Sequence, residues 1–141
     1  MNIGRLSQLT GVSTETIRYY EKEQLMLPAE RSANNYRVYN QQHVERLTFI
    51  KNCRSFDMTH EEIHQILNEV NQPNSDCSAI NHIIKDHLAH LDERIQELLH
   101  LKEKLTSIEK RCRSAHTADN CSIIKDIASL EDVPSRNTHL G

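Results

Sequence analysis

The chain has 141 residues, three glycines, three prolines, few aromatics and a net charge of −3, which excludes a large catalytic fold and suits one small, mainly α-helical domain with an appended helix. Its first residues, Met1-Asn2-Ile3-Gly4-Arg5-Leu6, carry no apolar leader and no apolar run reaches membrane length, so the expectation is a reducing cytoplasm and no membrane partner. Residues 1–56 hold eight Lys/Arg against five Asp/Glu, and the remainder nine against fifteen, a basic head suited to phosphate contact and an acidic body that is not.

The first apolar pattern, Ile3, Leu6 and Leu9, then Val12 and Ile17, breaks at Gly11, and Ser13 stands where it caps a second helix running through Tyr19 and Tyr20. Helix, tight turn and helix make a helix-turn-helix, whose second helix enters the major groove. Residues 28–39 follow, with Asn34-Asn35 as a turn between two short extended stretches, which reads as a wing. Helical spacing returns from Gln41 to about Phe56 through Val44, Leu47 and Ile50, and Thr59-His60-Glu61-Glu62 has the form of a capping box opening another helix.

Residues 71–76, Asn-Gln-Pro-Asn-Ser-Asp, form a polar breaker that divides the sequence. Beyond it Ile84, Leu88, Leu91, Ile95, Leu98, Leu101, Leu105, Ile108 and Cys112 alternate at spacings of four and three with one phase slip after Leu98, the pattern of a coiled-coil seam. A helix of roughly 35 residues spans about 50 Å, and nothing else in the chain is large enough to cover it, so it is expected to pair with a second copy. A polar loop leads to an apolar helical turn (Ile123, Ile124, Ile127, Leu130) and a tail. The expected organisation is a winged helix-turn-helix DNA-binding domain over 1–70, an antiparallel coiled-coil dimerisation helix over 77–112, a metal-binding loop and short helix over 112–131, and a flexible tail over 132–141.

Four cysteines, Cys53, Cys77, Cys112 and Cys121, in a reducing compartment read as metal ligands or redox groups rather than disulfides. Cys77 opens the long helix and Cys112 closes it, so one chain holds them about 50 Å apart. Two copies paired head to tail about a twofold near Arg94 and Ile95 bring Cys77 of one beside Cys112 and Cys121 of the other, giving two three-thiolate sites. Thiolates select soft ions over Mg or Ca, and Arg111 and Arg113 beside Cys112 favour its thiolate form. Cys53 lies in helical context with no ligand-like neighbour and reads as structural. His116, in the loop, is a candidate nitrogen ligand against the plainer reading of a solvated loop histidine. Asp86, His87 and His90 are spaced for a second, weaker site, against the plainer reading of a polar helix face.

His60-Glu61-Glu62-Ile63-His64 satisfies H-E-x-x-H, which in metallopeptidases supplies two zinc ligands and a general base. Here the capping box already accounts for Thr59 and Glu62, no third ligand follows in the known pattern, and the chain leaves no room for a substrate cleft. The motif is read as coincidental and the protein as no enzyme.

Ile3-Gly4-Arg5-Leu6, Thr16-Ile17-Arg18-Tyr19-Tyr20-Glu21, Asn35-Tyr36-Arg37-Val38-Tyr39 and Val44-Glu45-Arg46-Leu47-Thr48-Phe49-Ile50 together resemble the winged-helix N-terminus of the MerR family. The resemblance covers roughly residues 1–131. Through Asn52-Cys53-Arg54-Ser55 and Asp76-Cys77 the chain is most similar to the cadmium- and lead-responsive branch. It implies a homodimer on double-stranded promoter DNA whose polymerase-recognition elements are too far apart, with metal binding distorting the duplex so that bound RNA polymerase opens it, a form of indirect readout. It implies DNA contacts from Thr16, Arg18 and Tyr19 or Tyr20 on the second helix and from Arg31, Tyr36 and Arg37 on the wing. Relatives sensing monovalent ions resemble this chain except for a serine at the position of Cys77, which implies a divalent ion here, Cd or Pb first and Zn or Hg next. The zinc branch resembles it in a loop histidine like His116 but carries a cysteine where Arg111 stands, and the mercury branch shares the gap between Cys112 and Cys121.

A thiol redox sensor on the same scaffold is the competing class, although the closely grouped four-cysteine set of the cluster-binding members is missing. A small-molecule regulator would need a C-terminal binding domain, and the residues after Leu130 are too few.

Overall fold

The computed structural model describes residues 1–72, 74, 76–111 and 121–130. In chain order it holds α1 (Ile3–Thr10), α2 (Thr14–Lys22), β1 (Glu30–Arg31), β2 (Arg37–Val38), α3 (Gln41–Ser55), α4 (His60–Val70), α5 (Cys77–Arg111) and α6 (Ser122–Ala128). The mainly α, winged helix-turn-helix expectation holds, with the long helix where the apolar seam put it.

Local chemistry sets the boundaries of the head. The Asn2 side chain accepts the Arg5 N–H to start α1, and Gly11 ends it at φ 73 with its N–H donating to Ser7 O. Only glycine adopts that left-handed conformation without strain, and a Cβ there would also stand 3.2 Å from Lys51 Nζ. Ser13 accepts the Thr16 N–H to start α2. Asn40 and His43 form a capping box at α3, and Thr59 and Glu62 form the expected one at α4. In the wing, β1 and β2 pair antiparallel with Glu30 opposite Val38 and Arg31 opposite Arg37, and the turn residue Asn35 takes φ 64, which asparagine tolerates better than most residues.

Apolar residues at helical spacing, Ile17 and Tyr20 on α2, Leu47 and Ile50 on α3, Ile63, Ile66 and Leu67 on α4, join Leu6, Leu25 and Tyr39 in one core. Leu6, Ile17, Leu25, Leu47, Ile50 and Ile63 are fully excluded from solvent, each contributing about 1.5–3 kcal/mol of burial. Ile83 and Ile84, early in α5, also pack against this core, so the first compact unit runs past the polar breaker, from Met1 to Ile84. Ile84, which heads the seam in the sequence, therefore serves the head, and the exposed part of the seam begins at Leu88.

The second unit starts at Lys85. On its stretch of α5, Leu88, Ile95, Leu98, Leu101 and Leu105 are exposed, Leu105 by 61%. Ile108 is buried, and an ion pair of 3.1 Å from Arg111 Nη1 to Asp126 Oδ2 ties α6 to the last turn of α5. Among the described residues no helix is long and apolar enough to cross a membrane.

Candidate nucleic-acid interface and metal-ligand positions

Helix α2 buries Ile17 and Tyr20 and exposes Arg18 and Tyr19 on the opposite side. Burial separates the two tyrosines. Tyr20, three residues after Ile17, falls on the inward stripe and is only 8% exposed, whereas Tyr19 is 46% exposed. Tyr20 is thus a core residue and Tyr19 a surface one. Thr16 is half-buried, and its hydroxyl accepts from Ser13 Oγ at 2.8 Å, so it completes the helix start as well as facing outward in part.

On the wing Arg31, Tyr36 and Arg37 are all exposed, Tyr36 by 72%. Arg31 Nη1 donates to Asn35 O at 3.1 Å, which braces the turn. Arg37 Nη1 pairs with Glu21 Oε2 at 3.2 Å, and the Tyr39 hydroxyl donates to Glu21 Oε1 at 2.5 Å. Burial first, then the bond and charge of Glu21, pushes the Tyr39 phenol up to about 12. The Tyr39 backbone exchanges bonds with Met1, whose terminal amine donates to Tyr39 O at 2.7 Å while Met1 O accepts from Tyr39 N at 2.8 Å.

Three basic residues counted toward the positive head serve the fold instead. Lys51 Nζ donates to Thr10 O at 2.8 Å, at the negative end of α1. Arg46 Nη1 donates to Leu25 O at 3.1 Å and Arg54 Nη1 to Met58 O at 2.6 Å. Burial pushes the Arg46 guanidinium down from its ordinary value. The remaining basic residues, Arg5, Arg18, Lys22, Arg31 and Arg37, are exposed in α1, α2 and the wing, Arg31 and Arg37 with one nitrogen each already bonded to Asn35 O and Glu21.

The two histidines of the H-E-x-x-H pattern brace α2. The His60 ring lies 5.5 Å from that of Tyr19 and 5.8 Å, edge-on, from that of Tyr20. His64 Nε2 donates to the Glu23 carbonyl, at the C-cap of α2, at 2.9 Å. Nothing in the spacing announced this role, since the carbonyl lies 41 residues away.

Of the expected thiolates, Cys77 is free and exposed at the first turn of α5, and Cys121 is half-buried at the N-cap of α6 with no side-chain capping bond. Asp76, just before Cys77, accepts the Ser78 N–H at 2.9 Å and the Ser78 hydroxyl, and these bonds hold its carboxyl below the ordinary range. Cys53 is free and buried, as expected of a structural residue, and burial pushes its thiol up. Cys112 and His116 lie outside the described residues. Sulfur donors at Cys77 and Cys121 suit a soft ion. At the proposed second site, ring nitrogens of His87 and His90 come within 4.8 Å of each other, but Asp86 does not gather with them. The reason is helical: residues 87 and 90 are three apart and share a face, whereas 86 and 87 point about 100° apart.

The sequence profile described as MerR HTH family regulatory protein matches residues 1–70, and that described as MerR, DNA binding matches residues 44–108. The HTH-type transcriptional regulator ZntR homolog of Haemophilus influenzae is 40% identical over 111 residues, 79% of this chain and 82% of that protein. Among solved structures, the transcription regulator PbrR691 of Ralstonia metallidurans in complex with lead(II) is 35% identical, with a TM-score of 0.76 over 90% of this chain and 98% of that one. The dual function transcriptional regulator MerR of Bacillus megaterium in complex with mercury(II) is 29% identical, with a TM-score of 0.68 over 91% of this chain and 99% of that one.

Proposed function

The chain belongs to the MerR family of helix-turn-helix regulatory proteins, and from that premise we propose that it acts as a homodimer on a promoter operator, activating metal-resistance genes when a soft divalent ion binds. The similar proteins are transcriptional regulators rather than enzymes. The observation that carries the reading is the apolar face of α5, exposed at Leu88, Ile95, Leu98 and Leu105, on the same helix that opens with a free, exposed Cys77. A second copy, packed antiparallel with the same face of each helix engaged, would cover that seam. Residues 77 and 112 are equidistant from its centre at Arg94 and Ile95, so Cys77 of one chain would join Cys112 and Cys121 of the other.

Cys77 of one chain with Cys112 and Cys121 of the other would hold a soft divalent ion, which would supply a cross-link between the two chains. Lead or cadmium comes first, supported by the lead(II) complex of the 35% identical regulator, with zinc and mercury next, the latter supported by the mercury(II) complex. His116 is the candidate for an added nitrogen donor.

The protein's own residues do the rest. Arg18 and Tyr19 meet base edges and phosphates from α2, while Arg31, Tyr36 and Arg37 reach the backbone and minor groove from the wing. Because the first turns of α5 pack in the head through Ile83 and Ile84, restraint of this helix passes to the DNA-reading elements of each chain. The duplex is distorted and RNA polymerase bound at the promoter opens it. Equilibrium titration with lead(II) or cadmium(II) under reducing conditions tests the site: two ions per dimer are expected, falling to none for Cys77→Ser. Full stoichiometry in the variant would leave the thiols to the alternative reading, a redox sensor.

A further inference from the structure

The wing is held at its base, where Tyr39 exchanges backbone bonds with Met1, Asn40 Nδ2 donates to Glu30 Oε1 at 3.3 Å and the His43 ring bonds Pro28 O at 3.0 Å, and these contacts tie it to the N-terminus and α3 rather than to α2. Its strands have two residues each, and an isolated hairpin of that size is at best marginal in water. Its inner hydrogen bonds, Ser32 N to Tyr36 O and Asn35 N to Ser32 O at 2.9 Å each, shape the turn but do not fix the wing relative to α2. Among the described residues, the polar contacts between α2 and the wing segment both end on Glu21: Oε2 on Arg37 and Oε1 on Tyr39. The Tyr39 ring is buried, edge-on to His43 at 5.2 Å, so one end of this link is anchored in the core. Glu21 itself has a side chain only 13% exposed, against 44% for Arg37.

A carboxylate among basic groups that face DNA repels phosphate and weakens non-specific attraction. What it contributes is geometry, since it holds one oxygen on each of two wing residues while its backbone belongs to the helix carrying Arg18 and Tyr19. We propose that Glu21 is a specificity-determining positioning residue that locks the wing to the recognition helix, so that base contacts from α2 and backbone contacts from the wing engage the duplex in one register. The inference rests on the DNA-binding reading above. Without the lock each element binds phosphate but the two no longer require the same duplex shape, so discrimination falls more than affinity.

The test is binding of the full-length protein to a duplex carrying its own promoter and to a scrambled duplex of equal length, over a range of salt. In Glu21→Gln the ratio of promoter to scrambled affinity should drop about tenfold, the scale of one lost specific contact, while scrambled affinity stays level or rises. Tyr39→Phe, which keeps the ion pair to Arg37, should lower the ratio by less than Glu21→Gln does. An unchanged ratio in Glu21→Gln overturns the proposal, even where both affinities rise. A wild type that does not distinguish the duplexes removes the regulator reading instead, and hydrogen exchange in the free protein then decides on the lock. Wing amides of Ser32, Asn35 and Tyr36 exchanging about tenfold faster in Glu21→Gln support it, and equal rates overturn it.

Discussion

Tyr39 gives its phenol hydrogen to Glu21 Oε1 across 2.5 Å, joining the end of the wing to the recognition helix. The phenol, near 10 in an unfolded chain, is pushed up to about 12 by burial and by Glu21, so folding favours the protonated form. That stabilisation is complete below pH 10 and is lost as pH rises from 10 to 12. Thermal melts of wild type and Tyr39→Phe should therefore show a stability difference that is constant below pH 10 and shrinks through this window. A difference independent of pH would contradict the pairing.

The basic residues of the head divide into two groups by what their nitrogens touch. Arg18→Ala should reduce the salt slope of DNA binding by about 0.9 and leave stability within about 0.5 kcal/mol of wild type. Arg46→Ala and Lys51→Ala remove donors from the Leu25 and Thr10 carbonyls, so they should cost about 1–3 kcal/mol and leave the slope unchanged. Denaturant unfolding and salt-dependent anisotropy separate the groups.

At the start of α4, Thr59 accepts the Glu62 N–H and the Glu62 side chain accepts the Thr59 N–H. Thr59→Ala should lower stability by about 1 kcal/mol. His60→Ala should leave bound zinc unchanged, because His60 packs on Tyr19 and Tyr20 and His64 bonds the Glu23 carbonyl. Zinc lost on His60→Ala would revive the hydrolase motif.

Ile95 lies at the centre of the α5 seam and is 51% exposed in a single chain. Ile95→Glu sets two carboxylates near the expected twofold and removes an apolar contact from each chain, which should weaken the dimer on the order of a thousandfold. Sedimentation at micromolar concentration should then find monomers whose heads remain folded, since Ile95 takes no part in the head's core. An unaltered dimer would place the seam elsewhere.

The starts of α2 and α4 were legible because their causes are local: Ser13 and Thr59 each accept an N–H three residues onward. The exposure of Arg18, Tyr19, Arg31, Tyr36 and Arg37 in α2 and the wing followed from the sequence pattern, while Tyr20 is buried. What escaped the sequence were relationships between distant residues. Lys51 meets Thr10 across 41 positions and Arg46 meets Leu25 across 21, so their charges counted as DNA-facing until the fold spent them on carbonyls. Ile84 fits the seam's period, yet the head's core claims it, because periodicity identifies an apolar face and not its partner. The Asp86, His87 and His90 spacing likewise named donors without regard to the direction each takes from the helix. The proposed ligand set of Cys77, Cys112 and Cys121 would be a property of two chains, which one sequence states only through the symmetry of its spacing.

The central claim is that metal held by cysteine thiolates switches transcription. Transcription in vitro from the protein's own promoter, comparing Cd, Pb, Zn, Hg and Cu(I) with wild type and Cys112→Ser, tests it most directly. Activation by Cd or Pb that disappears in Cys112→Ser is the predicted result. A variant that responds as well as wild type, or activation by an oxidant alone, would contradict it.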